Sequence, residues 1–111
     1  MTLKTYVIDI DGTICNNGDC TSCKYEGSTP ILERIDKINE LYDEGNIIKY
    51  FTARGMGRYN DDGEKATEKF YSLTKMQLDI WGCKYHELIL GKPSGDIYID
   101  DKGVNADDFF N

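Results

Sequence analysis

The sequence lacks a long apolar run. No stretch of its 111 residues approaches the roughly 20 consecutive apolar residues of a membrane-spanning helix. No charged-then-apolar signal pattern precedes the first apolar segment. We therefore expect a cytoplasmic protein that does not bind a membrane, and in that compartment its four cysteines are expected to be reduced thiols.

Positive charge is also scarce. Lysine and arginine together number 13 against 20 aspartates and glutamates, which gives a formal net charge of −7. Nucleic-acid binding relies on a basic face that neutralises phosphates, so this balance argues against it. An anionic substrate remains compatible with the composition, because a bound divalent cation inverts the local field.

Histidine, internal repeats and linkers are rare or missing. The one histidine, His86, has no partner motif, and we interpret it as a packed or surface residue rather than a catalyst. No repeat, low-complexity stretch or linker divides the chain. Residues 1–111 are therefore expected to form a single domain.

The apolar segments predict strands that alternate with helices. Short β-branched segments predict strands at residues 6–10, 47–51, 86–90 and 97–99. Amphipathic segments predict one helix from an N-cap at Thr29 to Gly45, and a second that ends at Gly82. The apolar stripe of the second helix is predicted to contain Ala66, Phe70, Leu73, Gln77 and Ile80. Residues 14–28 are interpreted as a flap, and residues 53–63 as a mobile loop.

This alternation predicts an α/β fold: a three-layer, Rossmann-like domain with a short, mainly parallel sheet and helices on both faces. In such sheets ligands bind beyond the carboxyl ends of the strands. Polar residues lie at or just beyond the carboxyl ends of the predicted strands, at Asp9, Asp11, Thr52, Arg54, Lys92, Asp100 and Asp101. The sequence therefore predicts one polar site at this end of the sheet.

Two aspartates form the centre of the predicted site. Asp9 and Asp11 point the same way on an extended segment, and Gly12 allows a sharp turn after them. One carboxylate can attack a phosphorus atom while the other transfers protons. Together with Asp100 and Asp101 they offer the hard oxygen ligands that suit Mg²⁺, which bridges carboxylates to substrate phosphate.

Two further residues suit phosphoryl transfer. The Thr52 hydroxyl can donate to a phosphoryl oxygen, and the Lys92 charge can oppose the negative charge of the transferred group. Arg54 has two open interpretations. Its guanidinium could grip an anion with two hydrogen bonds, or its charge could serve solubility alone.

These segments resemble the four motifs of the haloacid-dehalogenase-like (HAD) hydrolases, in the family's order. The matching residues are Asp9-Ile10-Asp11-Gly12-Thr13, Thr52 at a strand end, Lys92 before Pro93, and Asp100-Asp101 closing a strand. The resemblance spans residues 6–101 and implies a HAD-like phosphatase domain. No insertion between the motifs is long enough for a separate cap domain, so the site is expected to be open, or closed by loops, by the substrate or by a homo-oligomer partner.

The resemblance implies a role for each matching residue. Asp9 would form an aspartyl-phosphate, and Asp11 would protonate the leaving group and then activate water. Thr52 and Lys92 would hold the phosphoryl group. The residues implied to contact the substrate are Gly12, Thr13, Ala53 and Arg54. An acid at the position of Asp11 is typical of phosphatase members, which favours hydrolysis of a phosphate monoester over carbon–halogen cleavage.

The metal is likewise implied by the resemblance. Mg²⁺ would bind the Asp9 carboxylate, the Asp11 backbone carbonyl and Asp100, with Asp101 nearby. Residues 51–57, 81–88 and 91–102 also look like small phosphatases of capsule and surface-polysaccharide biosynthesis, which implies a sugar phosphate as substrate.

Cysteine spacing raises a second metal hypothesis. Cys15, Cys20 and Cys23 have the close spacing of zinc ligands, and Cys83 would be the fourth. Two interpretations remain open: the thiols bind zinc and so fix the flap in place, or they are incidental. A second pair of cysteines with matching spacing, which would favour zinc, is missing.

Other functions use the same residues. A phosphotransferase would replace water by an alcohol, and a nucleotide or a phosphoprotein could replace the sugar phosphate. A receiver domain also combines Mg²⁺, a phosphorylated aspartate, a threonine and a Lys-Pro pair. A receiver places its acidic pair first, its phosphorylated aspartate before the threonine, and its lysine last. Here an acidic pair follows Lys92, and no aspartate ends the second strand ahead of Thr52. A catalytically silent binding domain is the remaining alternative.

Overall fold

The computed structural model describes residues 2–16, 27–54, 56, 63–93 and 95–111. Its elements are β1 (Thr5–Ile8), β2 (Cys15–Asn16), β3 (Thr29–Pro30), α1 (Leu32–Asp43), β4 (Ile47–Thr52), α2 (Gly63–Ile80), β5 (Glu87–Leu90) and α3 (Ala106–Phe110). Within the described residues, no helix is both long enough and apolar enough to cross a membrane. Most of the predicted flap and of the predicted mobile loop lies outside the described residues.

A three-stranded parallel sheet organises the domain. Its strand order is β1-β4-β5, with Ile8 opposite Tyr50 and Thr52 opposite Leu90. Helix α1 connects β1 to β4, and α2 connects β4 to β5. The carboxyl ends of all three strands therefore meet at one end of the sheet. The prediction of a mixed α/β domain with a mainly parallel sheet is confirmed.

Both long helices cover the same face of this sheet. One core cluster joins residues of the strands to residues of α1 and α2, and it includes Ile8, Ile48, Tyr50, Ile35, Ile38 and Leu78. On the other face, Val7 keeps 61% of its surface exposed. Two successive right-handed crossovers that step in the same direction place both helices on one side. The prediction of helices on both faces is therefore not met within the described residues.

Two glycines end the helices, as predicted. Gly45 and Gly82 have φ angles of +103° and +76°, a conformation that favours glycine. The N–H groups of Asn46 and Cys83 then donate to carbonyls five residues earlier, at 3.1 and 2.9 Å. These bonds satisfy carbonyls that the ends of the helices would otherwise leave without partners.

The predicted start of α1 is wrong. Thr29 does not cap the helix, because Thr29–Pro30 form β3 and pair antiparallel with β2. Ile31 occupies the N-cap without a side-chain cap bond, and its N–H donates to the Ile14 carbonyl at 2.7 Å. Residues 14–16, which are distant in sequence, therefore bind the residues just before the helix. As a result α1 begins at Leu32 and not at Pro30.

The predicted fourth strand at residues 97–99 is also absent. Ile97 and Ile99 are 78% and 94% exposed, and no described strand pairs with them. Parallel strands need a crossover of a dozen or more residues, whereas only residues 91–96 separate this segment from β5. One edge of β1 is therefore left without a strand partner among the described residues.

The chain after this segment packs against α1. Helix α3 begins after Asn105, whose side chain accepts the N–H of Asp107. Phe109 lies 6.0 Å from Tyr6 between ring centroids. Arg34 of α1 forms an ion pair of 2.7 Å with Asp107, whose side chain is 75% exposed.

The buried face of α2 differs from the predicted stripe. Phe70 and Gln77 are buried as predicted, but Ile80 is 73% exposed and Leu78 is fully buried. Thr74, a polar residue outside the predicted stripe, is fully buried as well. The helix is therefore rotated so that polar groups on its buried side face the end of β4.

The two apolar residues near the end of α2 give a matched test of this packing. Leu78→Ala is expected to lower the free energy of unfolding by about 2–5 kcal/mol, because it leaves a cavity in the core. Ile80→Ala is expected to change it by less than about 0.5 kcal/mol. Urea unfolding of the two variants measures both values. A larger loss at position 80 than at position 78 would contradict the packing described here.

Candidate active site

A tight turn follows β1 and presents two carboxylates. The N–H groups of Thr13 and Ile14 both donate to the Ile10 carbonyl, at 3.1 and 2.9 Å. Gly12 has a φ of +79°, and its N–H donates to the Cys15 carbonyl at 2.9 Å. The chain therefore reverses just after the Asp9-Ile10-Asp11 segment, which leaves both aspartates at the carboxyl end of β1.

Asp9 lies between the turn and Lys92. Its Oδ1 accepts the N–H of Ile10 at 2.9 Å, and its Oδ2 lies 3.5 Å from Lys92 Nζ. Burial raises the pKa of the Asp9 carboxyl above its ordinary value. The Lys92 charge opposes this rise, and the neighbouring charge of Asp11 adds to it. The arrangement is a partly buried carboxylate with a cation in reach.

Thr52 and Lys92 come together where β4 and β5 end. The Lys92 N–H donates to the Thr52 carbonyl at 3.1 Å, and Gly91 allows the turn with a φ of +99°. The fully buried Thr52 Oγ1 accepts the N–H of Arg54 at 3.1 Å. Its hydroxyl proton is therefore directed away from that nitrogen and can serve another acceptor. Lys92 Nζ also lies 4.3 Å from the ring centroid of Tyr98.

Arg54 does not face solvent as an anion clamp. Only 1% of its surface is exposed, and its guanidinium is bound to Asp11 through Nε–Oδ2 and Nη2–Oδ1 contacts of 3.0 Å each. The interpretation of Arg54 as an exposed charge that serves solubility is wrong, and its predicted contact with substrate is blocked in this arrangement. It contacts one of the predicted catalytic acids instead.

Helix α2 supplies two residues that sequence analysis did not place in the site. Arg54 Nη1 donates to Thr74 Oγ1 at 3.1 Å and to Gln77 Oε1 at 2.5 Å. A glutamine within an apolar stripe was the available signal, because a buried amide needs a polar partner. The identity of that partner could not be read from the stripe itself.

The remaining predicted substrate residues lie at the same end of the sheet. Gly12 is exposed and Thr13 is half-buried in the turn, and the Thr13 carbonyl accepts from Arg34 at 3.0 Å. Ala53 is half-buried between Thr52 and Arg54. All three positions follow β1 or β4, at the carboxyl ends of these strands.

The structure does not bring Asp100 and Asp101 to the other carboxylates. Both are exposed, and Asp100 accepts the N–H of Lys102 at 2.7 Å, which lowers the pKa of its carboxyl. Among the described residues, no three acidic, cysteine or histidine side chains are close enough to hold a metal ion. The predicted set of four carboxylate ligands is therefore not assembled here, because the strand that would carry the last two does not form.

The predicted zinc ligands that the structure describes are packed thiols. Cys15 is buried, its Sγ lies 3.6 Å from the Ile10 carbonyl oxygen, and burial raises the pKa of its thiol to about 12. Cys83 packs against the core, and burial raises the pKa of its thiol to about 11. Cys20 and Cys23 lie outside the described residues, so the zinc hypothesis stays a prediction.

His86 has a packing role, in agreement with its interpretation from sequence. Its Nδ1 accepts the N–H of Ile48 at 3.1 Å, and its ring stacks on Tyr42 at 4.7 Å between centroids. The side chain thus fixes the chain just before β5 against β4. It contributes no group to the end of the sheet where the aspartates lie.

Comparison with known proteins supports the fold. No family model matches the chain, and no curated protein matches it. The chain is similar to the crystal structure of a structural-genomics target from Vibrio cholerae, with a TM-score of 0.84 and 29% sequence identity. The similarity covers 97% of this chain and 88% of that one. The fold is α/β and consistent with a Rossmann-like arrangement, and the comparison supplies no activity.

Proposed function

We propose that this chain is a magnesium-dependent phosphatase of the HAD type that hydrolyses a sugar phosphate through an aspartyl-phosphate on Asp9. One observation carries the proposal: Asp9 Oδ2 lies 3.5 Å from Lys92 Nζ at the end of the sheet where the buried Thr52 hydroxyl also lies. This arrangement combines a nucleophile, a cation and a hydrogen-bond donor. Phosphoryl transfer depends mainly on such positioning and charge.

Asp9 and Asp11 would carry the covalent steps. An Asp9 carboxylate oxygen would attack phosphorus, and the bond from phosphorus to the ester oxygen would break. Asp11 would have to enter the cycle in its protonated form, and it would give that proton to the departing oxygen. A water molecule would then attack the aspartyl-phosphate and lose a proton to Asp11, which releases inorganic phosphate and restores both side chains.

Thr52 and Lys92 would bind the phosphoryl oxygens during both steps. The Thr52 oxygen already accepts a backbone N–H, so its proton can point towards a phosphoryl oxygen. Lys92 is tied to the end of β4 by its own N–H, which limits the movement of its backbone. Preorganised donors of this kind stabilise charge that develops in the transition state.

The residues present fit Mg²⁺ in part. This ion keeps several water ligands and needs only one or two carboxylates together with substrate phosphate. The Asp9 carboxylate is suitably placed, and the Asp11 carboxylate is bound by Arg54, so Asp11 would contribute its backbone carbonyl. Bound Mg²⁺ would supply positive charge to offset the carboxylates and the phosphate. Asp100 and Asp101 would join only after residues 97–101 change position.

The choice of a sugar phosphate rests on sequence resemblance. Segments 51–57, 81–88 and 91–102 resemble small phosphatases of capsule and surface-polysaccharide biosynthesis. The carboxylates lie at an end of the sheet where Asp9 is partly exposed, so a small phosphate monoester can approach. No residue of the site is assigned to a sugar ring.

Phosphate release from a substrate panel tests the proposed function. Sugar phosphates, nucleotides and p-nitrophenyl phosphate are each assayed with Mg²⁺ and with EDTA. We expect the highest kcat/KM for a sugar phosphate, with a loss of at least about tenfold in EDTA that added Mg²⁺ reverses. Release only after an alcohol is added would indicate a phosphotransferase. No release from any substrate, by protein with native circular dichroism, would overturn the proposal.

A further inference from the structure

The fully buried Arg54 forms an ion pair with the half-buried Asp11 of the proposed site. Each guanidinium nitrogen that faces Asp11 lies 3.0 Å from a different carboxylate oxygen, and Nε also lies 3.3 Å from Oδ1. Such a two-point contact fixes the plane of a carboxylate, which a single lysine ammonium cannot do. The orientation of Asp11 is therefore set by a side chain from the end of β4.

The far side of the guanidinium is held by α2. Nη1 donates to Thr74 and Gln77, and the side chains of all three residues are buried. Helix α2 thus determines where the guanidinium lies, and the guanidinium determines where Asp11 lies. The same residue also donates its backbone N–H to Thr52 Oγ1. One residue is consequently linked to two groups of the proposed site.

A stabilising role alone does not account for this arrangement. Buried ion pairs contribute little net stability, because both ions lose their hydration. The guanidinium is also not available to grip substrate in this arrangement, because its nitrogens already donate to Asp11, Thr74 and Gln77. Fixed supporting contacts around a reacting group are what a catalytic site requires.

We propose that Arg54 is a positioning residue, which holds the Asp11 carboxylate in the orientation needed for proton transfer and is itself anchored by Thr74 and Gln77. This inference rests on the proposed phosphatase function. It assigns Arg54 no contact with substrate. The effect of its side chain on turnover passes through Asp11, whereas its backbone bond to Thr52 is kept in any substitution, and that dependence can be measured.

A double-mutant cycle tests this dependence. Arg54→Gln is expected to lower kcat for the preferred substrate about 10²-fold, since misplacing a catalytic group by about 1 Å has an effect of that size. KM should stay within about twofold. In the Asp11→Asn background the same substitution should lower kcat less than about twofold, because its only target has lost its function. Arg54→Lys should restore little of the loss.

Two further variants keep the test decisive. Thr74→Val removes one anchor of the guanidinium and leaves the ion pair intact, so it should fold even if Arg54→Gln does not. Its kcat should fall a few-fold, again only when Asp11 is present. Lys75→Gln removes a surface ion pair with Asp79 on the same helix and should leave kcat and KM unchanged.

Two results would overturn the inference while the proposed function stands. If the wild type is active and Arg54→Gln lowers kcat equally in both backgrounds, the residue acts independently of Asp11. If Arg54→Gln instead raises KM and leaves kcat unchanged, Arg54 binds substrate. If the folded wild type releases no phosphate, the proposed function is overturned, and this inference is overturned with it.

Discussion

Replacing Asp9 by asparagine is expected to lower phosphate release at least about 10³-fold, as the loss of a covalent nucleophile does in other hydrolases. The amide has the shape of the carboxylate but lacks the charge that attacks phosphorus. It also removes the negative partner of the 3.5 Å ion pair with Lys92 Nζ. The measurement is steady-state phosphate release with Mg²⁺ and the preferred substrate of the panel.

This substitution is not expected to damage the fold. Burial raises the folded-state pKa of Asp9 above its unfolded value, so folding is favoured while the carboxyl is protonated. That contribution is lost as the pH rises through the folded-state pKa. At neutral pH in EDTA, a neutral asparagine should therefore leave the Tm equal to or above that of the wild type.

The matched control is Asp36→Asn, which neutralises an exposed aspartate on α1. Its activity should stay within about twofold of the wild type. If Asp9→Asn kept more than about a tenth of the wild-type rate, Asp9 would not be the nucleophile. The proposed mechanism would then have to be abandoned, whatever substrate the panel identified.

The elements that sequence predicted well depend on local interactions. β4 is a short β-branched segment between the end of α1 and a polar Thr52, and it forms at residues 47–52, close to the predicted bounds. Gly45 and Gly82 end their helices because a positive φ favours glycine wherever it occurs. Such preferences act over a few residues and can be read without knowledge of the rest of the fold.

The elements that sequence predicted wrongly depend on distant partners. Thr29 has the features of an N-cap, yet pairing with residues 15–16 draws it into β3. Residues 97–99 have the composition of a strand, but a strand needs a neighbour and a connection long enough to reach it. The six residues after β5 do not provide that connection. Composition carries no information about either requirement.

In the candidate site, too, the features that follow from local rules were predicted and those that depend on distant partners were not. The rule that parallel strands present their carboxyl ends together correctly brings Asp9, Thr52 and Lys92 into one place. The pairing of Arg54 with Asp11 could not be predicted, because it depends on how α2 rotates over the sheet. Gln77 within the predicted apolar stripe was the one trace of that pairing in the sequence.

Lys92→Met is expected to lower kcat about 10²- to 10³-fold, the usual effect of removing one preorganised group that opposes transition-state charge. Methionine keeps a similar length without the ammonium. The Lys92 charge also lowers the pKa of Asp9, against the effect of burial. Without that charge the pKa of Asp9 rises further, so the acid limb of the kcat/KM profile should move to higher pH.

A surface lysine provides the control for this prediction. Lys84→Met removes an ion pair with Asp43 near the amino ends of β4 and β5, away from the carboxyl ends where the site lies, and should leave both the rate and the pH profile unchanged. A loss of kcat at position 92 without any movement of the acid limb would mean that Lys92 acts on the phosphoryl group but does not influence Asp9. A rise in KM alone would make Lys92 a binding residue. If both effects appear together, the 3.5 Å contact between Lys92 and Asp9 persists in the working enzyme, and one cation serves both the nucleophile and the group it attacks.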